Sequence, residues 1–351
     1  MKNTHVNIPV FIPHLGCPNM CVFCNQRAIS GVSSFIPDKA VSDIETVLST
    51  VKEGTDCEIA FFGGSFTGID RGLMISLLDI AQKYINAGKV SGIRMSTRPD
   101  YIDEEIISIL SRYTVSAVEL GIQTFSERVL AASKRGHTPS QSRNAVKMLI
   151  KNGFSVVGQM MIGLPESTCE DEVNCAREIV SLGAVAARIY PTLVFKGTEL
   201  YSMTLDERYI PLSLDEAVAR SADVYRVFMK NGVECLRIGL CESENLHSMN
   251  TFYAGPNHPA IGELVYSRIY LDIITEKLAA LSILPRGEIN IEVPRGDISA
   301  VTGQKRCNIA TLKALYPDLS INFIQNQALS RFDIVLQYNT DFLFGGSPDC
   351  T

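Results

Sequence analysis

The sequence predicts an α/β fold in which a partial parallel barrel of the (β/α)6 type carries a small C-terminal α+β module. Two observations support this prediction. Up to about residue 240, short β-branched or apolar runs alternate with longer segments of helical spacing. Beyond that point the alternation stops. Strands separated by helices indicate a parallel sheet with right-handed crossovers, and such sheets bind ligands at the carboxyl ends of their strands.

Seven strands and six intervening helices are predicted in the first part of the chain, one strand short of a closed eightfold barrel. The predicted strands cover residues 7–12, 57–63, 92–97, 115–121, 155–163, 184–190 and 233–239. The predicted helices cover about residues 38–52, 70–86, 103–112, 126–150, 168–182 and 214–231. Several of these helices open with Asp, Ser or Thr, whose side chains cap the first helical turn.

The rest of the chain is predicted to form a connecting helix and a small module. Residues 258–282 have the pattern of one long helix, which either closes the open side of the barrel or connects it to the tail. The following residues read as strand, helix, turn, helix, strand and a further strand. We therefore expect a barrel over residues 1–245, a loop and connecting helix over 246–284, and the module over 285–351.

Composition and charge exclude several classes of protein. Hydrophobic residues make up 46% and charged residues 20% of the 351 residues, as in an ordinary globular chain. The net charge of −6 gives no general attraction for nucleic acid or anionic membranes, so an RNA partner would need a local basic patch. The proline-interrupted start does not fit a secretory signal, and no apolar run reaches the roughly 18 residues of a membrane span. We expect a cytoplasmic protein with no membrane partner.

Three of the ten cysteines are clustered, at Cys17, Cys21 and Cys24. In a reducing compartment, clustered cysteines indicate a metal site and scattered cysteines indicate core packing. Three thiolates on one loop can hold three corners of a cubane iron–sulfur cluster, whose usual ligand set is four cysteines, and so leave one iron open. A structural zinc site would need a fourth donor, for which His14 is the nearest residue. The spacing leaves iron–sulfur, zinc and packing roles open.

The triplet, with the aromatic Phe23 just before its last cysteine, resembles the hallmark motif of the radical S-adenosylmethionine (radical SAM) superfamily. The resemblance implies an enzyme with one 4Fe-4S cluster on the three cysteines, SAM at the open iron, and Phe23 beside the cofactors. It also implies that an electron from the cluster cleaves SAM to a 5'-deoxyadenosyl radical. An external electron donor of the flavodoxin or ferredoxin type is therefore an expected partner, while the protein orients the cofactor and excludes water.

The stretch FFGGSFTG, residues 61–68, follows the second predicted strand. A glycine pair is common in turns, but at this place it resembles the superfamily's glycine-rich motif, whose main chain contacts the amino group of the SAM methionine. The resemblance implies cofactor-binding roles for Gly63, Gly64, Ser65 and Thr67. Ser65 stands where the superfamily usually has an acidic residue, a departure that does not affect a main-chain contact.

Later stretches resemble, in the same order, the radical SAM domain of the Elongator catalytic subunit and its bacterial relatives. They are STRPDYID (96–103), ELGIQTFSERVL (119–130), KRGHT (134–138), GQMMIGLPEST (158–168) and RIYPTLVFKGTELY (188–201). The resemblance covers about residues 8–240. We do not carry over acetyl-CoA-dependent modification of tRNA, because only about 110 residues follow the barrel, without a glycine-rich pyrophosphate loop.

Two groups of residues in these stretches are candidate cofactor contacts. Glu119 and Gln123 can hydrogen-bond a ribose hydroxyl pair and the cofactor carboxylate, or else belong to a surface turn. Ile162, Gly163 and Pro165 fall in MIGLPE, which resembles the superfamily stretch that brackets adenine and otherwise reads as a core strand ending in a turn.

Basic and aromatic residues near strand ends are candidates for the substrate side. Arg188, Tyr190 and Lys196 leave the sixth predicted strand or its loop where a substrate would bind, and we take them as candidate catalytic residues. Arg98 and Arg135 can neutralise carboxylates of cofactor or substrate, or else be solvated surface residues.

The C-terminal module, residues 285–351, resembles a KH-type RNA-binding unit, in which a loop between two helices clamps a nucleic-acid backbone. Gly303 holds the first glycine position of that loop, and Arg306 stands where the second glycine belongs. The module has six Lys and Arg against seven Asp and Glu, a net charge of −1 that is poor for phosphate binding. A scaffold role and contact with tRNA both remain open.

Together these features predict a cytoplasmic radical SAM enzyme that abstracts hydrogen from an RNA base, as in tRNA modification, or from a small metabolite. The alternative is a metal-stabilised RNA-binding or regulatory module without radical catalysis. The chain shows no second complete cysteine cluster, which disfavours sulfur insertion. The sequence does not specify the substrate, the reaction type, the oligomeric state or the fate of SAM.

Overall fold

The computed structural model of the chain describes residues 5–12, 17, 21–25, 37–240, 250–281 and 287–338. The fold consists of two compact units, Met1–Pro259 and Ala260–Thr351. The long predicted helix belongs to the second unit by this division. In the described residues, no helix combines the length and the apolar character needed to cross a membrane.

The first unit is built on one parallel sheet of seven strands in the order β1-β2-β3-β4-β5-β6-β8. These strands are β1 His5–Phe11, β2 Asp56–Phe62, β3 Gly92–Thr97, β4 Val115–Gln123, β5 Ser155–Ile162, β6 Ala186–Pro191 and β8 Glu234–Ile238. Each neighbouring pair of these strands is parallel, so all their carboxyl ends lie at one edge of the sheet. The predicted α/β class and partial parallel barrel are confirmed.

The helices of the first unit connect these strands. They are α1 Pro37–Thr50, α2 Arg71–Asn86, α3 Glu104–Leu110, α4 Glu127–Ala132, α5 Pro139–Lys151, α6 Cys169–Ser181, α7 Glu199–Leu205 and α8 Leu214–Lys230. Among the caps that the structure describes, six accept a hydrogen bond from the first helical turn through a side chain: Asp70, Asp103, Thr138, Thr168, Thr198 and Ser213.

The single helix predicted over residues 126–150 is wrong, because the structure has α4 and α5 there instead. The chain turns between them through Gly136, whose φ is +80°. Pro139 then starts α5 at its first position, where a residue without an N–H is tolerated. This break places Ser133 and Arg135 in a turn at the carboxyl edge of the sheet.

Two short strands, β7 Val194–Phe195 and β9 Phe252–Ala254, form a separate antiparallel pair in the first unit. They were not predicted, because two- and three-residue strands carry too little periodicity to detect. The Lys196 N–H donates to the Thr251 carbonyl at 2.8 Å and extends this pairing. The pair positions the loop that leads from β6 into α7.

The second unit contains α9 Ile261–Ala279, β10 Gly287–Pro294, α10 Ile298–Thr302, α11 Cys307–Leu315, β11 Leu319–Asn326 and β12 Val335–Tyr338. Its sheet has the order β11-β10-β12, in which β10 is parallel to β11 and antiparallel to β12. The strand, helix, helix, strand, strand order is the one predicted for the C-terminal module. Buried Asn308 connects α11 to α9 by donating to the Ser267 carbonyl at 2.9 Å.

Candidate cofactor site

The predicted cluster cysteines lie directly after β1, at the carboxyl edge of the large sheet. Cys21 is buried, Cys24 is half-buried and Cys17 is exposed. The Cys24 N–H donates to the Cys21 carbonyl at 3.0 Å, which closes a tight turn between these two cysteines. His14, the fourth donor of the zinc alternative, lies outside the described residues.

Within the described residues, no group of three or more His, Cys, Asp and Glu side chains is arranged to hold a single metal ion. A cubane cluster sets a different requirement, because each thiolate binds an iron atom of its own.

Val22, which lies between Cys21 and Cys24, is held by two main-chain hydrogen bonds, one at its N–H and one at its carbonyl. Its N–H donates to the Ser133 carbonyl at 3.2 Å, and its carbonyl accepts from the Leu200 N–H at 2.8 Å. The Val22 side chain is buried in an apolar cluster with Val194, Leu200 and Tyr209. The turn after α4 and the first turn of α7 therefore grip the cysteine segment from two sides.

The segment from β7 to α7 makes further contacts with the cysteine segment. Half-buried Phe23 packs against the apolar cluster around Val22, so its ring faces protein on at least one side. The Asn25 amide donates to the Lys196 carbonyl at 3.4 Å. Predicted site residues Phe23 and Lys196 are thus brought into one neighbourhood, with the exposed Lys196 at its rim.

A buried guanidinium group touches the cysteine segment. Arg135 is only 8% exposed; its Nη1 donates to the Cys21 sulfur at 3.4 Å and its Nη2 donates to the Gly121 carbonyl at 2.7 Å. Although the Cys17 side chain is exposed, partial desolvation by the surrounding protein raises the pKa of its thiol, while the positive charges of Arg135 and Arg98 counteract that rise. The two arginines therefore favour the thiolate form of Cys17 but do not cancel the effect of desolvation.

Arg98 holds the main chain of Arg135 in place through a hydrogen bond. It is 2% exposed, makes two hydrogen bonds to the Asp100 carboxylate at 2.8 and 2.9 Å, and donates from Nη2 to the Arg135 carbonyl at 2.8 Å. Its pKa is raised, because the hydrogen bonds and charge of Asp100 outweigh the opposing effect of burial. Arg98 therefore forms an internal ion pair with Asp100 and is not a solvated surface residue.

Three buried polar atoms beside Cys21 have no hydrogen-bond partner among the described residues: Arg98 Nη1, Arg135 Nε and Gln123 Oε1. Their side chains are neighbours: a Cβ built on Gly121 would be 2.7 Å from Arg135 Nη2 and 3.2 Å from Gln123 Nε2, and Arg98 donates to the Arg135 carbonyl. Buried polar groups normally find partners, so two unused donors and one unused acceptor in one place indicate where a polar ligand group or water binds. Gln123 also has a φ of +66°, a strained backbone typical of functional sites.

The glycine-rich stretch follows β2. Gly63 has a φ of +97°, and its would-be Cβ lies 3.4 Å from the Ile12 nitrogen at the end of β1. Ser65 and Thr67 are fully buried, and their hydroxyls hydrogen-bond the Thr97 hydroxyl at 2.9 and 2.6 Å. Their side chains join the ends of β2 and β3, which leaves main-chain atoms of this stretch as the groups suited to a cofactor contact.

Glu119 is 1% exposed and accepts from three side chains of neighbouring strands. Arg188 donates to both of its oxygens at 2.8 and 3.0 Å, Gln159 donates to Oε2 at 2.9 Å, and Arg94 donates to Oε1 at 3.3 Å. Arg94 also pairs with Glu58 at 3.0 Å. An ion-pair network thus crosses the face of the sheet from β2 to β6, and the predicted residues Glu119 and Arg188 are direct partners.

Tyr190 is half-buried and lies two residues beyond Arg188 on β6, so both side chains are on the same face of the sheet. Lys196 lies further along the chain beside the cysteine segment. The three candidate substrate residues therefore run from the sheet face toward the cluster segment.

The MIGLPE stretch leaves β5 in a buried turn. Ile162, Gly163 and Pro165 are all buried. The Gly163 N–H donates to Glu172 at 2.7 Å and its carbonyl accepts from the Tyr209 hydroxyl at 2.6 Å. Burial raises the pKa of the Glu172 carboxyl, against the hydrogen bond from Gly163 and the charge of Arg220.

Several residues of the site were not among the sequence candidates. They are Arg94, Gln159, Glu172 and Tyr209, each of which bonds a predicted site residue. Period-2 alternation places Arg94 and Gln159 on the open face of the sheet, which is a signal that the sequence does contain. The contacts of Glu172 and Tyr209 depend on how two loops fold back, which no local pattern reveals.

Comparison with known proteins assigns the family. Residues 11–179 match the Radical SAM superfamily, and residues 185–271 match the Radical_SAM C-terminal domain. An uncharacterized protein of Methanocaldococcus jannaschii is 30% identical over 234 residues, which cover 61% of this chain and 71% of that protein. The chain belongs to the radical SAM superfamily. It is therefore a radical SAM enzyme, of a class that uses a 4Fe-4S cluster and SAM.

Two further proteins that this chain resembles are longer than it. The tRNA uridine(34) acetyltransferase of Methanocaldococcus jannaschii is 31% identical over 181 residues, 46% of this chain and 34% of that protein, so the match spans about a third of the relative. The solved structure of the archaeal Methanocaldococcus infernus Elp3, with an N-terminal deletion, superimposes with a TM-score of 0.60. At 21% identity over 77% of this chain and 63% of that one, this likeness shows the shared fold.

Proposed function

We propose that this radical SAM enzyme binds its 4Fe-4S cluster through Cys17, Cys21 and Cys24 and acts on an RNA base or a small metabolite. The observation that carries the proposal is the buried Arg135 guanidinium, which donates to the Cys21 sulfur. A fixed positive charge beside this sulfur would offset the negative charge of a cluster held by three thiolates. The two main-chain hydrogen bonds of Val22 would hold the cysteine segment in position for the cluster.

The unpartnered atoms fit the amino-acid end of SAM. That end carries a carboxylate and an amino group. Arg135 Nε and Arg98 Nη1 are donors suited to the carboxylate, and Gln123 Oε1 is an acceptor suited to the amino group. Main-chain atoms at Gly63 and Gly64 would contribute from the end of β2. Ile162 and Pro165 would supply apolar contacts to adenine.

When bound, the cluster and SAM would together supply a 5'-deoxyadenosyl radical and release methionine, at the expense of one electron from an external donor of the flavodoxin or ferredoxin type. The role of the chain is to orient these groups and the substrate. Arg188 donates to both oxygens of Glu119, and these two hydrogen bonds fix the orientation of its guanidinium. The guanidinium lies on the face of the sheet that also carries Tyr190. A ribose contact of Glu119 would share its carboxylate with these donors.

We favour tRNA over a small metabolite as the substrate class. The support is the printed activity of a relative, tRNA uridine(34) acetyltransferase, together with the strand and helix order of the C-terminal module. The alternative, a metal-stabilised RNA-binding module without radical catalysis, uses the same two units.

The test is anaerobic reconstitution of the full chain followed by metal analysis. We expect about four irons and four sulfides per chain, and formation of 5'-deoxyadenosine when SAM and dithionite are added. The variant C21A should lose iron and 5'-deoxyadenosine, while C235A, at a cysteine on β8, serves as the matched control. Stoichiometric zinc and no SAM cleavage would instead support the alternative module.

The substrate class is tested by adding total tRNA and, separately, a metabolite extract to the reconstituted enzyme. Faster SAM cleavage with tRNA alone supports tRNA modification. Faster cleavage with the extract alone would overturn the tRNA proposal and leave the radical SAM assignment intact.

A further inference from the structure

The main chain of Gly163 is held by side chains from two other segments of the barrel. Its N–H donates to Glu172 Oε1 at 2.7 Å, from the first turns of α6. Its carbonyl accepts from the Tyr209 hydroxyl at 2.6 Å, from the loop between α7 and α8. The N–H and the carbonyl of Gly163 are therefore both paired with buried side chains, each from another segment of the chain.

Glu172 acts as the centre of this arrangement. It is 2% exposed, and its Oε1 also accepts from the Ser167 hydroxyl at 2.9 Å and from Arg220 Nη1 at 3.2 Å. Arg220, on α8, donates as well to the Ser167 carbonyl at 3.4 Å. One carboxylate oxygen therefore joins the two ends of the loop, Gly163 and Ser167, to a helix of the next βα unit.

The loop cannot relax easily around Gly163. Its φ is +71°, and a Cβ there would lie 2.7 Å from Leu212 Cδ1, so side chain and backbone are closely packed. A buried carboxylate is costly unless its charge is paired. Arg220 provides that pair, but a well-packed apolar residue would fill the same space without the cost. A carboxyl group at this buried position is explained if the position of the Gly163 N–H matters.

We infer that Glu172 and Tyr209 are positioning residues that fix the Gly163 main chain and its neighbours Ile162 and Pro165 for contact with the adenosyl part of SAM. This inference rests on the proposed function. Neither residue touches the reacting atoms. Glu172 sets the N–H side of the turn and Tyr209 sets the carbonyl side, so adenine meets a surface that is already formed. A preformed surface avoids the ordering cost of closing a loop on the ligand.

The test uses E172Q and Y209F, which preserve side-chain volume. Amide exchange in the apo protein should become about tenfold faster over residues 163–168 in both variants, because a buried charge-assisted or hydroxyl hydrogen bond is lost. In the reconstituted enzyme we expect about tenfold weaker SAM binding. This binding is measured through the change that SAM causes in the cluster's electron paramagnetic resonance spectrum. The rate of SAM cleavage at saturating SAM should change by less than about twofold.

The matched control is E178Q, which removes a carboxylate from the same helix, where Glu178 pairs with Arg143. It should leave loop exchange and SAM binding unchanged. Folded E172Q and Y209F that bind SAM as tightly as the wild type would overturn the inference while the proposed function stands. Y209F decides the matter if E172Q does not fold. A wild-type cluster protein that does not bind SAM would overturn the proposed function itself, and the inference with it.

Discussion

At the scale of single residues, the charge of Arg135 is expected to set the redox behaviour of the cluster. Reduction adds negative charge to a cluster held by thiolates, and if Cys21 is a cluster ligand as proposed, a buried cation 3.4 Å from its sulfur would stabilise that charge. The variant R135M should therefore lower the midpoint potential by about 60 mV, the one-electron equivalent of about 1.4 kcal/mol. R135K keeps the positive charge but lacks the planar guanidinium with its several N–H donors. It should lower the midpoint potential less than R135M does.

The measurement is a potentiometric titration monitored by electron paramagnetic resonance without SAM, so that any effect on SAM binding does not contribute. R143M removes an arginine that is 41% exposed and should leave the potential unchanged. Equal potentials for R135M and the wild type would show that the Arg135 charge does not act on the cluster.

His137 is expected to make the stability of the apo protein depend on pH. Burial, and secondarily the charge of Arg135, lowers its pKa to about 3, whereas an unfolded histidine titrates near about 6.5. Below about pH 6.5 the unfolded chain therefore binds a proton that the native chain does not, so stability falls as the pH falls toward 3. From pH 7.5 to 5.5 this group alone should cost about 1.4 kcal/mol.

The effect is measured by urea unfolding of the wild type and H137Q at both pH values. The wild type should lose about 1.4 kcal/mol more than the variant between them. Parallel losses in the two proteins would mean that His137 is protonated in the native state.

At the scale of elements, the strands and helices of the barrel could be predicted, because apolar periodicity and caps are local. The strand predicted at 92–97 is found as Gly92–Thr97, and Thr168 caps the helix predicted to start there. The break at Gly136 and Pro139 was missed, although both residues were visible, because the helical spacing continues on either side.

The couplings between elements could not be predicted. Arg135 meets Cys21 across 114 residues and Arg188 meets Glu119 across 69, distances at which no sequence period connects two side chains. Glu119 illustrates the consequence. Its place at a strand end suggested a ligand contact, while its burial between Arg94 and Arg188 follows only from the register of neighbouring strands.

The grip of α7 and the α4–α5 turn on the cysteine segment predicts how firmly the cluster is kept. Val22 is 1% exposed and packs on Leu200 and Val194, so V22A should cost about 2 kcal/mol and loosen the segment locally. We expect V22A to lose its cluster to an iron chelator several-fold faster than the wild type. The loss is measured anaerobically as the decrease of the cluster's visible absorbance.

The control is V185A, because Val185 is 55% exposed and its truncation should cost less than about 0.5 kcal/mol. If V22A retains its cluster as long as the wild type, the apolar cluster around Val22 supports the fold but not the metal site.

At the scale of the whole molecule, the net charge of −6 works against nucleic acid, so binding of tRNA would depend on a local basic feature. The second unit has one in the loop between α10 and α11. Lys305 and Arg306 are exposed there and have φ values of +53° and +62°, two successive left-handed residues. The turn is shaped by Gly303, where a Cβ would lie 2.6 Å from the Cys307 sulfur.

If this loop contacts a phosphate backbone, the double variant K305A/R306A should weaken tRNA binding and make it less dependent on salt. Each lost phosphate contact reduces the slope of log affinity against log salt by about 1, so the slope should fall by about 2. Filter binding of labelled total tRNA at several salt concentrations measures it. The variant K147A/K151A removes the same charge from exposed positions on α5 and serves as the control. An equal loss in both variants would indicate a general charge effect, and no loss in K305A/R306A would assign the second unit to a scaffold role, because the basic loop is then the wrong surface for RNA.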